Sequence, residues 1–412
     1  MENIYNLLLS EVNKIKIIDT HEHLDPHNSI NEGAPADVLS EYLMHFIHMD
    51  LLSSGMSMAD YEFVRNPAED IEIRYAVLEP HLEYVRSGSF FRVLERAASI
   101  IHGVESIDRN TIWKLNEKFV AATANPNYGE YIMKDICNIE AVINHFHNRN
   151  IRSVKTDLFF PVFLPERTIL NDKPTHPTLD DFLESYREEF QTKIKDGAVA
   201  VKLLAAYARS LYFKEVDRKT ASELYLKHRE KDKQGNFPLP LQDYIYHHIF
   251  KCADEMSFPV QIHTGLQGVM GGNLLNSNPM LLQNLFGKYK NVAFNLFHMG
   301  YPYERELMVL TKTHANVYLD MCWAHAISPY ASRAAFSEML DVLPYNKIFA
   351  FGADYAFYDG VAGSLSMANE NVCTVLAGKI ARGEMTEDMG VRVLNAVFRE
   401  NAIKAFHLDL PV

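Results

Sequence analysis

Eight short apolar segments punctuate the chain, and their number limits the fold more than any other feature. They are Lys14–Asp19, Asn138–Asn144, Ile151–Phe159, Gly197–Leu204, Phe258–His263, Asn291–His298, Asn316–Met321 and Lys347–Ala353. Each has the length and the apolar, often β-branched make-up of a buried strand. Most are separated by helical or loop-rich stretches, which points to parallel βαβ units. Eight such units favour a (β/α)8 TIM barrel of the α/β class over an open sheet.

The spacing is uneven. The first segment ends near His23 and the second begins near Asn138, and the stretch between them reads as helical. Ala36–Ile47, Phe90–Ile101 and Ile112–Val120 all repeat apolar residues at helical intervals. At roughly 100–200 residues per domain, 412 residues leave room for two or three domains. The strand count instead predicts one barrel over 1–412, with a helical insertion over 35–130. Loops that follow barrel strands lie on the catalytic face, so the insertion is expected to roof the pocket. The excursions Pro165–Asp196 and Tyr207–Leu241 are expected to border it.

Composition removes several functions. A net charge of −13 disfavours a nucleic-acid partner. No apolar run approaches the ~20 residues of a membrane span, and the start Met1-Glu2-Asn3 lacks the features of a signal peptide. Cys137, Cys252, Cys322 and Cys373 are scattered without a CxxC, which fits reduced thiols. The expectation is a cytoplasmic protein with a small-molecule substrate and no membrane partner. Self-association into a homo-oligomer is left open.

The chemistry gathers at the ends of the predicted strands. His21-Glu22-His23 closes the first, and residues two apart on a strand face the same way, so His21 and His23 project together. Two imidazoles are half of a metal site. Alone the pair is weak, since 18 histidines in 412 residues give roughly one HxH by chance. A second, His145-Phe146-His147, is read as that accident. Conjunction strengthens the first pair. His263 ends one strand, His298 another, and Asp354 follows Phe349–Ala353. Lys202 sits inside Val199–Leu204, where a charge is costly unless paired or chemically modified.

The order His-x-His, Lys, His, His, Asp resembles the amidohydrolase superfamily of metal-dependent barrel hydrolases. Ile18–Leu24 carries the first-strand motif, and Val260–His263, Phe297–Gly300 and Phe351–Tyr355 those of strands five, six and eight. Arg399–His407 is similar to the family's final helix. The likeness is to the amidohydrolase-related (amidohydrolase 2) branch over 14–24 and 138–408, with a uronate-isomerase-like insertion. It implies that His21, His23, His263 and Asp354 bind metal and that Asp354 is the general base. It also implies that His298 binds a second metal or polarises the substrate carbonyl. Lys202 matches a lysine that is carboxylated in binuclear members and bridges two metals; the alternative is an ammonium in a salt bridge, with Lys155 as a competing candidate. One or two divalent ions are implied. Several imidazoles, a carboxylate and an open position suit zinc, and Mn²⁺ or Fe²⁺ also fit the ligand types.

Tyr207 and Arg209 follow the Lys202 strand directly, and a guanidinium there would suit a substrate carboxylate, with a surface role on the next helix as the alternative. His325 is a further substrate-binding candidate, Tyr301 and Tyr303 are candidate pocket walls, and His27 and His48 are candidate extra groups. The leading expectation is a hydrolase that attacks an amide, ester or lactone carbonyl with metal-activated water. The alternative is a metal-dependent isomerase or decarboxylase of a sugar acid or related carboxylic acid. A barrel that only binds a ligand is the non-enzymatic reading.

Overall fold

The structure, a computed structural model, describes residues 1–26, 36–146, 151–154, 156–166, 176–230 and 236–411. Eight parallel strands form one sheet in chain order: β1 (Ile17–Glu22), β2 (Ile139–Asn144), β3 (Phe159–Phe163), β4 (Ala200–Leu203), β5 (Val260–Ile262), β6 (Phe294–Leu296), β7 (Val317–Asp320) and β8 (Ile348–Phe349). The two ends of the sheet meet. Thr20 N–H donates to the Phe351 carbonyl at 3.1 Å, Asp354 N–H to His21 at 3.0 Å and His23 N–H to Tyr355 at 3.0 Å. The fold is the TIM barrel expected from the strand count.

The strand side chains are almost all buried, as a barrel covered by helices requires. Beneath the C-terminal face the interior is polar and largely hydrogen-bonded, although Asp19 Oδ2, Gln261 Oε1 and Asn295 Oδ1 have no partner. Asp320 accepts from Thr20 Oγ1 at 3.1 Å, from Asn295 Nδ2 at 2.9 Å and from the Cys322 N–H at 2.8 Å. Gln261 Nε2 donates to the Thr20 carbonyl at 2.9 Å.

The third strand departs from the sequence reading. Ile151–Val154 is a helical turn and the strand is Phe159–Phe163. The cause is local: Thr156 Oγ1 accepts the N–H groups of Leu158 and Phe159 at 3.2 and 3.0 Å, and this side-chain turn cannot continue a ladder.

A helix precedes the barrel, α1 (Glu2–Val12), and the stretch between β1 and β2 holds α2 (Val38–Tyr42), α3 (Ile47–Ser53), α4 (Met58–Val64), α5 (Ile71–Val85), α6 (Ser89–His102) and α7 (Ile112–Thr123). The helix read over Ala36–Ile47 is thus two pieces, the first opened by a capping box between Asp37 and Ser40. The insertion docks on the end of the barrel where β7 and β8 finish. Phe46 stacks on Trp323, with ring centroids 4.0 Å apart, and Tyr42 on Phe357 at 5.7 Å. α6 lies against the helix Tyr358–Ala381 so closely that a Cβ on Gly363 would collide with the Val93 carbonyl. No helix among the described residues is long and apolar enough to cross a membrane.

Candidate active site

The strand ends converge on a cavity of about 660 Å³. His23, His145, Glu166, Lys202, His263 and Asp354 contribute its polar lining, and Phe46, Leu164, Leu204 and Val269 are among its apolar walls. Phe46 and His45 come from the insertion, which therefore helps to enclose the cavity.

Asp354 is the hub. Its Oδ1 lies 3.0 Å from His23 Nε2 and 3.7 Å from His21 Nε2, and its Oδ2 lies 3.8 Å from His298 Nε2. Its backbone is in the left-handed region, at φ 62°, which is unusual for any residue but glycine. The segment is held there by β1. Glu22, opposed to the histidine pair, accepts the N–H groups of Ala353 at 3.0 Å and Tyr355 at 2.7 Å, while Asp354 N–H bonds His21. One three-residue motif thus supplies two imidazoles upward and a clamp for the carboxylate that faces them. Gly352 allows the close approach, since a Cβ there would lie 2.7 Å from Thr20 Oγ1.

Burial alone would raise the Asp354 carboxyl. The hydrogen bond and charge of His23, with His298 and Lys202, outweigh it and hold the group below the usual carboxylate range. Burial pulls His298 down to about 4 against the raising effect of Asp354. It also pulls His21 and His263 well below their ordinary value, aided at His21 by the Lys202 charge and at His263 by His298. These imidazoles are therefore neutral at pH 7 and offer lone pairs. Lys202 is lowered to about 8 by burial, and its Nζ lies 3.4 Å from the Phe297 ring centroid.

Two observations test whether the residues suit a cation. His21 is fully buried, and neither of its ring nitrogens has a hydrogen-bond partner. His263 Nε2 sits 2.8 Å from the Leu266 carbonyl and His298 Nδ1 2.8 Å from the Cys322 carbonyl, so in both rings the proton belongs on that nitrogen. The remaining nitrogens, His263 Nδ1 and His298 Nε2, then face each other as lone pairs at 3.0 Å. Two lone pairs repel unless a cation lies between them, and a backbone carbonyl behind each ring is the usual support of a metal-binding imidazole. The donor set fits a divalent ion.

The other expected residues divide. Tyr207 lines the cavity, its ring 4.7 Å from that of His263, and its hydroxyl accepts the Gly268 N–H at 3.2 Å. Arg209 does not reach it. The guanidinium is buried in an ion pair with Asp243, donates to Gln242 at 3.3 Å and to the Tyr212 carbonyl at 3.1 Å, and lies over Phe213. His325 is also turned away, with Nε2 on the Ala350 carbonyl at 3.0 Å and Nδ1 accepting from Asn371 at 3.2 Å. Both are corrections: the residues follow strands in sequence, but packing turns them into the shell of helices. Tyr301 and Tyr303 are outside the described lining, and Tyr303 donates to the Leu274 carbonyl at 3.2 Å. His48, in α3, contacts the carbonyl of His45 just before that helix, and His27 and Lys155 lie outside the described residues.

Three polar lining residues escape the sequence reading: His45, on the insertion, His145 and Glu166. His145 was set aside with His147, which lies outside the described residues; position, rather than the HxH count, was the useful signal, since His145 directly follows β2. Glu166 lies just beyond β3, whose end was misplaced. It accepts from the Leu204 N–H at 2.5 Å and the Tyr246 hydroxyl at 2.9 Å, and burial raises it to about 7.

Comparison with known proteins bears on the fold and on family resemblance. Residues 221–408 match the amidohydrolase family. Protein fluG of Emericella nidulans is 30% identical in an alignment of 246 residues that covers 55% of this chain and 28% of that protein. The match thus spans under a third of the relative's length. Among solved structures, glucuronate isomerase from Caulobacter crescentus aligns at a TM-score of 0.79 and 18% identity, covering 100% of this chain and 95% of the other. Uronate isomerase from Thermotoga maritima aligns at 0.79 and 14%, covering 98% and 97%. A Lactobacillus casei protein inferred to be a metal-dependent hydrolase aligns at 0.67 and 15%, covering 97% of each chain. At these identities the structural likeness concerns the fold alone. Residues 221–408 thus resemble the amidohydrolase family, and the fold as a whole is like that of the two uronate isomerases.

Proposed function

We propose that the protein is a metal-dependent hydrolase acting on an amide, ester or lactone carbonyl of a small substrate. The observation that carries this reading is the Asp354 carboxylate, held below the usual carboxylate range and set at the cavity 3.0 Å from His23 Nε2 and 3.8 Å from His298 Nε2. His21, His23, His263, His298 and Asp354 are the residues that would hold the metal, with zinc the first choice for an imidazole and carboxylate set. A divalent ion bound there supplies the acidity that makes water a nucleophile near neutral pH and polarises a carbonyl oxygen. Asp354 accepts the proton of the attacking water and returns it to the leaving group. Lys202, which lines the cavity, offers a positive charge where negative charge develops on oxygen. Phe46, Leu164, Leu204 and Val269 limit water around the reacting centre.

A sugar-acid isomerase or decarboxylase is the second reading, supported by the barrel's likeness to two uronate isomerases. Arg209, the cation best suited to grip a carboxylate, is occupied by Asp243 instead, which favours hydrolysis. The test is a substrate panel of lactones, esters, N-acyl amino acids and uronates, run on native and chelator-treated protein in ¹⁸O- and ²H-labelled water. Hydrolysis predicts metal-dependent turnover with ¹⁸O in the product. Turnover with deuterium placed on carbon and no water added would establish the second reading, with release of CO₂ marking decarboxylation and its absence isomerisation, and full activity without any divalent ion would overturn both readings.

A further inference from the structure

The structure assigns to His145 a role beside His21 and His23 as the third imidazole of one metal position. This rests on the metal-dependent reading above and adds a ligand from β2 to the set read from β1, β5, β6 and β8.

The chain brings His145 there by backbone pairing. β2 runs parallel to β1, with Asn144 opposite Glu22. The Asn144 side chain accepts the Leu24 N–H at 3.0 Å and donates to the Leu24 carbonyl at 2.9 Å. His145 N–H donates to the Glu22 carbonyl at 2.7 Å. These bonds lock the two strand ends in register, so the residue after β2 lies beside the residues that close β1. The His145 ring centroid is 4.7 Å from that of His23 and 6.3 Å from that of His21. One ring nitrogen from each of the three histidines lies within 4.8 Å of the others. His145 is 1% exposed and lines the cavity.

Packing three imidazoles together in a buried place has a cost. Each neutral ring carries a donor and an acceptor, and a buried polar atom left unpaired is destabilising. His21 has no hydrogen-bond partner on either nitrogen, and its neighbours at this point are other imidazoles and Asp354 Oδ1, at 3.7 Å. A cation bound by three lone pairs, with Asp354 Oδ1 as an oxygen donor 3.0 Å from His23 Nε2, satisfies the cluster. Asp354 Oδ2 remains directed to His298.

The experiment is Co²⁺ titration of metal-free protein with a competing chelator, followed by absorbance and by calorimetry. The wild type, His145→Ala and His145→Gln are compared, with His48→Ala as the control. Loss of a supporting partner of a ligand already weakens binding 10–100-fold, so loss of His145 should weaken Co²⁺ binding by about 100-fold or more in both variants. It should also alter the ligand-field bands, with the metal-free melting temperature preserved and His48→Ala unchanged. Wild-type affinity and spectrum in either folded His145 variant would overturn the assignment while leaving the metal-dependent reading intact. A wild type that takes up no Co²⁺ or Zn²⁺ would overturn the reading itself.

Discussion

Two buried aspartates five residues apart meet histidines in opposite ways. Asp359 begins the long helix Tyr358–Ala381 and is saturated: Tyr42 donates at 2.8 Å, Tyr128 at 2.5 Å, and His102 Nε2 lies 2.8 Å away. Asp354 faces His21, His23 and His298, yet His21 keeps both ring nitrogens unpartnered and the cluster borders a cavity. The first arrangement fastens the insertion to the barrel. The second leaves donor capacity for something else. Burial and a His–Asp contact are common to both, so neither marks a site; unsatisfied donors facing a cavity do.

Exchanging the carboxylates should separate the two. Asp354→Asn removes the proton acceptor, and turnover should fall by about 10³-fold with little change in melting temperature. Asp359→Asn should leave kcat of the folded enzyme within a few-fold and lower stability by about 1–3 kcal/mol, because two tyrosine hydroxyls and a histidine lose a charged acceptor. Parallel kinetics and denaturant melts check this, and the opposite pattern would collapse the distinction.

Arg209 sharpens it from another side. Its guanidinium belongs with the saturated group, so Arg209→Ala should cost about 3–5 kcal/mol by stranding Asp243. KM should not change, because the side chain does not meet substrate. A KM rise of tenfold or more at unchanged stability would return Arg209 to the pocket.

The smallest effect concerns pH. Glu41 on α2 is raised to about 7, first by burial and then by the Asp359 charge. A carboxyl whose folded pKa is raised favours the folded state at acid pH. That contribution is complete below about 4.5 and is lost as pH rises to about 7. Glu41→Gln should therefore gain stability relative to wild type across this window, seen as a melting-temperature difference that grows with pH and levels off above it. A flat difference would show that the Glu41 carboxyl is not raised in the folded state.

Much of this was legible in the chain. Apolar segments separated by helical spacing determined the barrel, because strands buried on both faces must be apolar throughout. Residues at strand ends determined much of the polar lining, since His23, Lys202, His263 and Asp354 keep the positions that strand order assigns them. Local sequence also decided where β3 failed to begin, through the Thr156 turn. Tertiary structure decided the rest. Arg209 and His325 follow strands as His298 does, and the direction they take depends on partners distant in sequence: Asp243 for one, Ala350 and Asn371 for the other. His145 looked like coincidence until β1–β2 pairing set it beside His23. A sequence fixes which residues end a strand. Which of them face a common cavity follows from register and from competing hydrogen-bond partners, and both exist only once the barrel closes.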